Sequence, residues 1–301
     1  MVGVSGQRGT PRRRLRELIA APELLVAPGS YDALSARLVE EAGFAAVYMS
    51  GYGTTASLLG RPDVGLLGQA EMVDNVRRIV QAVGVPVIAD ADTGYGSALN
   101  VMRTVCEYEQ AGVAGLHIED QLTPKKCGHM AGKAVIPSAE MVGKIRAAVA
   151  ARRDPELVLI ARTDAAAVEG LDGALDRACR YRDAGADVLF IEALTSEDDI
   201  QTTVDRMVGT PLMFNWAEGG RTPKLSRERI AELGFRMVIF PSSAIYAATA
   251  GIRQVLSVIA LEGTPATALA QLPTFAEFND YIGLSEAEKL QDQFGTASVT
   301  T

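Results

Sequence analysis

Eight short runs rich in β-branched and other apolar residues recur along the chain, at 24–27, 45–50, 85–92, 115–120, 157–164, 187–193, 211–216 and 236–241. Stretches with helical periodicity separate them, at 33–42, 70–83, 99–111, 139–151, 171–184 and 226–233. Such alternation belongs to parallel strands joined by crossover helices. Four helical stretches close on a glycine, at Gly43, Gly112, Gly185 and Gly234. Glycine tolerates the left-handed conformation that ends a helix. Eight such units predict an α/β chain folded as a closed (β/α)8 barrel. The competing arrangement is an open doubly wound sheet, but no Gly-rich phosphate loop follows the first run. The whole of 1–301 reads as one barrel domain, with 264–301 as a helical C-terminal extension.

Composition narrows the function. With 48% hydrophobic residues in 301, the chain can build a large core without staples. Its 29 basic and 37 acidic residues give a net charge of -8, which makes a nucleic-acid partner a poor expectation. The one basic cluster, Arg12 to Arg14 with Arg16, reads as a solvated helix start. Three cysteines do not make a disulfide framework in a chain this long. No unbroken apolar run reaches about 18 residues, so no membrane span is expected. A cytoplasmic protein is the expectation.

Polar residues enter the apolar runs only near their C-terminal ends, and often in pairs two apart. The pairs are Tyr48 and Ser50, Asp90 and Asp92, His117 and Glu119, and Arg162 and Asp164, with Glu192 and Asn215 near the ends of their own runs. A spacing of two places both side chains on one face of a strand. In a barrel those ends meet at one mouth, where active sites lie. Core design does not account for so many, because each buried polar group costs about 1–3 kcal/mol if unpaired.

Asp90 and Asp92 are the foremost metal candidates, and Glu119 joins them directly or through water. Hard oxygen ligands suit Mg²⁺, with Mn²⁺ as the alternative. Zinc is less suited, since the Cys and His residues lack zinc-like spacing. The segment Lys125-Lys126-Cys127-Gly128-His129 sets a thiol among basic residues. Neighbouring positive charge favours thiolate, and a thiol so placed can exchange a proton near neutral pH. Cys106 and Cys179 fall in amphipathic stretches and read as packing residues.

These segments resemble the isocitrate lyase and phosphoenolpyruvate mutase superfamily. The likeness runs from about 28 to 248. It is carried by the stretch from Pro28 to Ala36, by Tyr48 to Gly51, by the Ala-Asp-Ala-Asp-Thr-Gly-Tyr-Gly stretch from Ala89, by His117 to Gln121, by the cysteine segment and by Ala161 to Ala165. The cysteine segment resembles the lyase branch. The likeness implies a (β/α)8 barrel whose last helix is exchanged between subunits, in a homotetramer built as a dimer of dimers. It implies Mg²⁺ and a small-molecule dicarboxylate or α-keto acid at the mouth. By the same likeness, Ser50, Gly51 and Tyr52 supply loop donors to the substrate carboxylate. Asp63, Asp90, Asp92 and Glu119 surround the metal with His117. Arg162 clamps substrate oxygens, and Lys125, Gly128 and His129 bring a mobile loop over the ligand. Cys127 protonates a carbanion, Tyr48 is the base, and Glu192 and Asn215 complete the ring.

The activity implied is retro-aldol cleavage of a 2-hydroxy acid. One departure bears on the substrate. Methylisocitrate lyases carry an arginine for an extra carboxylate where this chain has Tyr246, so a smaller alkyl-malate fits better than a tricarboxylate. A carboxyphosphonoenolpyruvate phosphonomutase, an oxaloacetate hydrolase or decarboxylase, and a non-enzymatic α-keto acid sensor share these ligands and stay open at this point.

Overall fold

The computed structural model describes residues 9–128, 130 and 132–295. Its strands are β1 (Leu25–Ser30), β2 (Val47–Met49), β3 (Val87–Asp90), β4 (Gly115–Glu119), β5 (Val158–Thr163), β6 (Val188–Ile191), β7 (Met213–Asn215) and β8 (Met237–Phe240). Its α-helices are α1 (Pro11–Ala20), α2 (Ala33–Glu41), α3 (Gly51–Leu59), α4 (Gln69–Ala82), α5 (Ala98–Ala111), α6 (Ser138–Ala151), α7 (Ala166–Asp183), α8 (Glu197–Arg206), α9 (Arg227–Leu233), α10 (Ser243–Glu262), α11 (Phe275–Tyr281) and α12 (Leu284–Phe294). The strands pair in parallel in the order β6-β5-β4-β3-β2-β1-β8-β7. A further parallel bridge, Leu189 to Leu212, joins β6 to the approach to β7 and closes the ring. The expected barrel is what forms.

Alternation along the strands produces two apolar compartments. Leu25, Ala27, Tyr48, Ile88, Ile160, Phe190, Met213 and Ile239 face a cluster inside the barrel. Their neighbours Val47, Met49, Val87, Leu159, Leu189 and Val238 face the helices. Leu15 and Ile19 of α1 join the inner cluster. Arg12 and Arg16 hold α1 there: Arg12 donates to Val113 O at 3.1 Å and Asp154 at 2.9 Å, and Arg16 to Glu156 O and Asp187, both at 3.0 Å. Two of the four arginines read as a solvated cluster are thus anchors. Each gains buried carbonyl partners that are invisible in the local sequence.

The glycine helix ends behave as expected, with φ of 87° at Gly43, 95° at Gly112, 111° at Gly185 and 100° at Gly234. Three helices, α3, α8 and α10, lie outside the stretches with helical periodicity. α3 starts directly after β2, capped by Ser50, whose Oγ accepts from Gly53 N at 3.1 Å. α8 is capped by Ser196 and carries three acids in its first turn, which favour its positive end.

The chain divides into two compact units, Met1–Tyr246 and Ala247–Thr301. The first contains the barrel. The second holds most of α10, a short 3-10 turn at Ala266–Gln271, and α11 and α12. α10 is longer than any unbroken apolar run in the sequence, because Arg253 and Gln254 interrupt it. By length and composition it is apolar enough to cross a membrane, and none of its residues is buried.

Candidate active site

The C-terminal ends of the strands open into a cavity of about 240 Å³. Tyr48, Ser50, Tyr52, Asp63, Asp90, Glu119, Lys125, Cys127, Gly128, Arg162, Glu192 and Asn215 all line it. Asp92 and His117 lie buried beside it, 6% and 0% exposed. Gly51 reaches the site through Asp90, to which its N–H donates, and of the site residues expected from the sequence His129 falls outside the described residues.

The geometry begins at β2. Ser50, Gly51 and Tyr52 form the N-terminus of α3 rather than a loop, so backbone N–H groups point out of the strand end. Gly51 N donates to Asp90 Oδ2 at 3.2 Å. A Cβ at Gly51 would lie 2.5 Å from that oxygen, so only glycine permits the approach. β3 ends at Asp90, and the chain then turns sharply. Asp92 has φ of 47° and Tyr95 φ of 58°. Left-handed backbone at non-glycine residues stores strain, and the third such residue, Ala193 with φ of 59°, follows Glu192 in the same site. Tyr108 Oη donates to Asp90 O at 3.1 Å and steadies the turn from behind.

Four carboxylates share this small volume. Lys125 Nζ lies 2.6 Å from Asp63 Oδ2 and 2.6 Å from Asp92 Oδ1, the latter an ion pair by distance rather than an aligned hydrogen bond. Burial, reinforced by Asp90 and Asp63 and opposed by Lys125, pushes Asp92 up to about 6. Burial also pushes Glu119 well above the usual carboxylate range, with Arg162 opposing. At Asp90 burial is outweighed by His117, Lys125 and Arg162, and its carboxyl stays low. Among the described residues, no hydrogen-bond partner reaches the buried Glu119 Oε1. That orphaned oxygen and the all-oxygen donor set fit a hard cation. Among the described residues no three His, Cys, Asp or Glu side chains converge to chelate a metal by themselves. Any Mg²⁺ here would rest on one or two carboxylates and keep water, as that ion usually does.

Arg162 stands at the centre of the opposite wall. Its Nε and Nη2 meet Asp164 at 2.9 and 3.1 Å, Nε faces Glu119 at 3.3 Å, and Nη2 faces Glu192 at 3.6 Å. Asn215 Nδ2 donates to Glu192 Oε2 at 2.9 Å. The guanidinium also lies 5.0 Å from the Phe190 ring centre.

Tyr48 Oη and His117 Nε2 are 2.8 Å apart. Burial lowers His117 to about 4, so its imidazole is neutral at physiological pH. Burial, with Asp90 adding, drives the Tyr48 phenol well above its ordinary value. Tyr48 therefore holds its proton at neutral pH, and alone it is a weak base. At the rim, Tyr52 and Tyr246 place their hydroxyls 3.2 Å apart, and that hydrogen bond, with burial, raises Tyr52 to about 12.

The cysteine segment lies across the cavity. Gln121 clasps it by donating from Nε2 to Lys126 O at 2.8 Å and accepting from Lys126 N at 2.9 Å. A Cβ at Gly128 would collide with Arg162 and with Glu192 Cγ at 2.7 Å. Only glycine lets the segment rest on them. Sequence reasoning did not single out Gln121 and Lys133, which contact the segment, or Met130 and the 217–220 stretch, which line the cavity. Gln121 ends the His117 to Gln121 motif and was within reach, whereas nothing in local spacing marks Lys133.

Residues 15–260 match the phosphoenolpyruvate phosphomutase family. The chain is 46% identical over 283 residues to the 2,3-dimethylmalate lyase of Eubacterium barkeri, covering 94% of this chain and 98% of that one. It is 46% identical over 275 residues to the 2-methylisocitrate lyase of Aeropyrum pernix, covering 91% and 88%. A crystal structure of 2,3-dimethylmalate lyase superposes with a TM-score of 0.91 at 40% identity, covering 97% and 98%. The chain belongs to the phosphoenolpyruvate mutase/isocitrate lyase superfamily and is one of its lyases.

Proposed function

We propose that the protein is a Mg²⁺-dependent carbon–carbon lyase that splits a 2-hydroxy dicarboxylate of the alkyl-malate type into an α-keto acid and a carboxylic acid. The observation that carries this reading is the convergence of Asp63, Asp90, Glu119, Arg162 and Cys127 on one small cavity. Asp90 and Asp92 would hold the cation, directly or through water, with Asp63 and Glu119 beside it. When bound it would polarise substrate oxygens and offset charge on the keto-acid fragment.

The chain's own groups supply the rest. The N-terminus of α3, at Ser50, Gly51 and Tyr52, suits a carboxylate. The C2 hydroxyl proton passes to Tyr48 Oη as the Tyr48 proton passes to His117 Nε2. The relay needs no free phenolate, and Asp90, 3.6 Å from His117 Nε2, would offset the charge of the imidazolium that burial disfavours. The C2–C3 bond then breaks, and its electron pair moves onto C3, conjugated with the adjacent carboxylate. Arg162 offsets the developing charge. Cys127 Sγ–H delivers a proton to C3 and yields the carboxylic acid. The segment lying on Arg162 and Glu192 keeps water away from the carbanion.

Tyr246 supports a diacid over a tricarboxylate, since a phenol offers a hydrogen bond but no positive charge. The reading also includes a homo-oligomer with the last barrel helix exchanged, in a tetramer. Its support is α10, which leaves Ile252 59% and Leu256 57% exposed. Parallel incubation with a 2-alkyl-malate, a methylisocitrate, oxaloacetate and a carboxyphosphonate tests the substrate. Keto-acid release should be fastest from the alkyl-malate. A phosphorus NMR change with the carboxyphosphonate and no keto acid from any hydroxy acid would overturn the reading.

A further inference from the structure

Lys133 lies five residues beyond Gly128, outside every motif, yet its side chain is only 2% exposed. Its ammonium donates to Asp164 Oδ1 at 2.7 Å and to the Gly128 carbonyl. Asp164 is fully buried, and the same carboxylate takes both Nε and Nη2 of Arg162. Asp164 is itself fixed, because its backbone N donates to Asp120 Oδ1 at 2.9 Å. Asp120 is pinned in turn by Thr163 Oγ1 at 2.7 Å and Tyr181 Oη at 2.8 Å. A rigid chain of partners therefore runs from the barrel wall through Asp164 to Lys133, and from Lys133 to the carbonyl next to Cys127.

We propose that Lys133 is a positioning residue, which holds Gly128, and with it the neighbouring Cys127, against Arg162 by bridging the Gly128 carbonyl to Asp164. Two features favour this over simple neutralisation of Asp164. Arg162 already donates to both oxygens of that carboxylate, so Asp164 has its hydrogen-bond partners without the lysine, whose charge adds to that of Arg162 in holding the carboxyl low. The second contact of Lys133 goes to backbone in the segment that carries the thiol. Gly128 has no space for a Cβ between the segment and Arg162, so the contact surfaces are already matched. What remains is a tether that keeps them together, and a charge-assisted hydrogen bond is strong enough to be one. The tether fixes where the Cys127 thiol stands relative to Arg162.

The test is carried out on Lys133→Met and Lys133→Arg in a background with Cys106→Ser and Cys179→Ser, so that Cys127 is the one thiol. Alkylation of Cys127 by iodoacetamide in substrate-free protein reads the position of the segment. Lys133→Met should raise the alkylation rate about tenfold or more, the scale of one lost charge-assisted hydrogen bond. Lys133→Arg should restore it in large part. The carbon-cleavage arm rests on the function proposed above: kcat should fall by a similar factor with KM little changed. If Lys133→Met does not fold, Lys133→Gln, which keeps a polar side chain but no charge, should raise alkylation by a smaller factor. Wild-type alkylation rates in folded Lys133→Met, or in Lys133→Gln where the methionine variant does not fold, overturn the proposal. Faster alkylation in a protein that cleaves no hydroxy acid would leave the tether standing and remove the proposed reaction instead.

Discussion

Tyr48 Oη lies 2.8 Å from His117 Nε2, with the two rings 11° from parallel. Both are buried, and the imidazole is neutral because burial holds it near 4. A neutral imidazole can accept the phenol's proton while the phenol accepts another. Tyr48→Phe keeps the packing and removes the relay. We expect kcat to drop about 10²–10⁴-fold, the usual scale for a lost general acid–base group. Circular dichroism should be unchanged. Turnover within a few-fold of wild type would exclude the relay.

Cys127 is assigned the proton that ends the reaction at C3. In D2O the wild-type carboxylic acid product should carry one deuterium at that carbon. Cys127→Ser has a far weaker acid in its place and should lose nearly all turnover while still binding Mg²⁺. A serine variant as fast as wild type, measured by keto-acid release, would remove the thiol from the chemistry.

Metal binding should depend on pH through Asp92. Burial holds its carboxyl near 6 in the metal-free chain, so below that pH a cation must displace a proton. Calorimetric titration with Mg²⁺ should show affinity falling by about tenfold per pH unit below 6, and little change above 7. Affinity that is flat from pH 7.5 to 5 would remove Asp92 from the metal site.

The same buried charges shape acid stability. Asp164 is held near 2 against burial by Arg162 and Lys133. A depressed carboxyl stabilises the fold above its unfolded value and loses that contribution as pH falls through the folded one. Asp90, also held low, acts in the same direction, whereas His117, lowered to about 4, costs stability as pH falls from about 6.5 to about 4 and not below. Asp92 and Glu119, held high, oppose the loss until their unfolded carboxyls are protonated too, at about pH 3. Urea unfolding of the metal-free protein should therefore lose stability steeply below about pH 4, with about 2 kcal/mol from Asp164 alone. Asp164→Asn should flatten that limb. Equal slopes in both proteins would contradict the assignment.

Much of this was legible because it follows from period and chain direction. Strand ends such as Asp90 and His117 point to one mouth in any parallel barrel, and glycines such as Gly112 mark where helices stop. Other features depend on partners far along the chain. Lys133 meets Asp164 31 residues away and a backbone carbonyl that has no sequence signature. Arg162 and Asp164 were read as two groups facing the mouth, yet much of their capacity is spent on each other. α3 was not read as a helix, since Gly51-Tyr52-Gly53-Thr54-Thr55 has low helix propensity. Its position is set by the Ser50 cap and the strand before it.

The measurement that bears most directly on the whole account is quantification of both products from a 2,3-dialkyl-malate, before and after removal of divalent cations by EDTA and again after Mg²⁺ is restored. Equimolar α-keto acid and carboxylic acid, abolished by EDTA and recovered with Mg²⁺, is the expected result. Absence of both products with Mg²⁺ present, or release that EDTA leaves untouched, would contradict it.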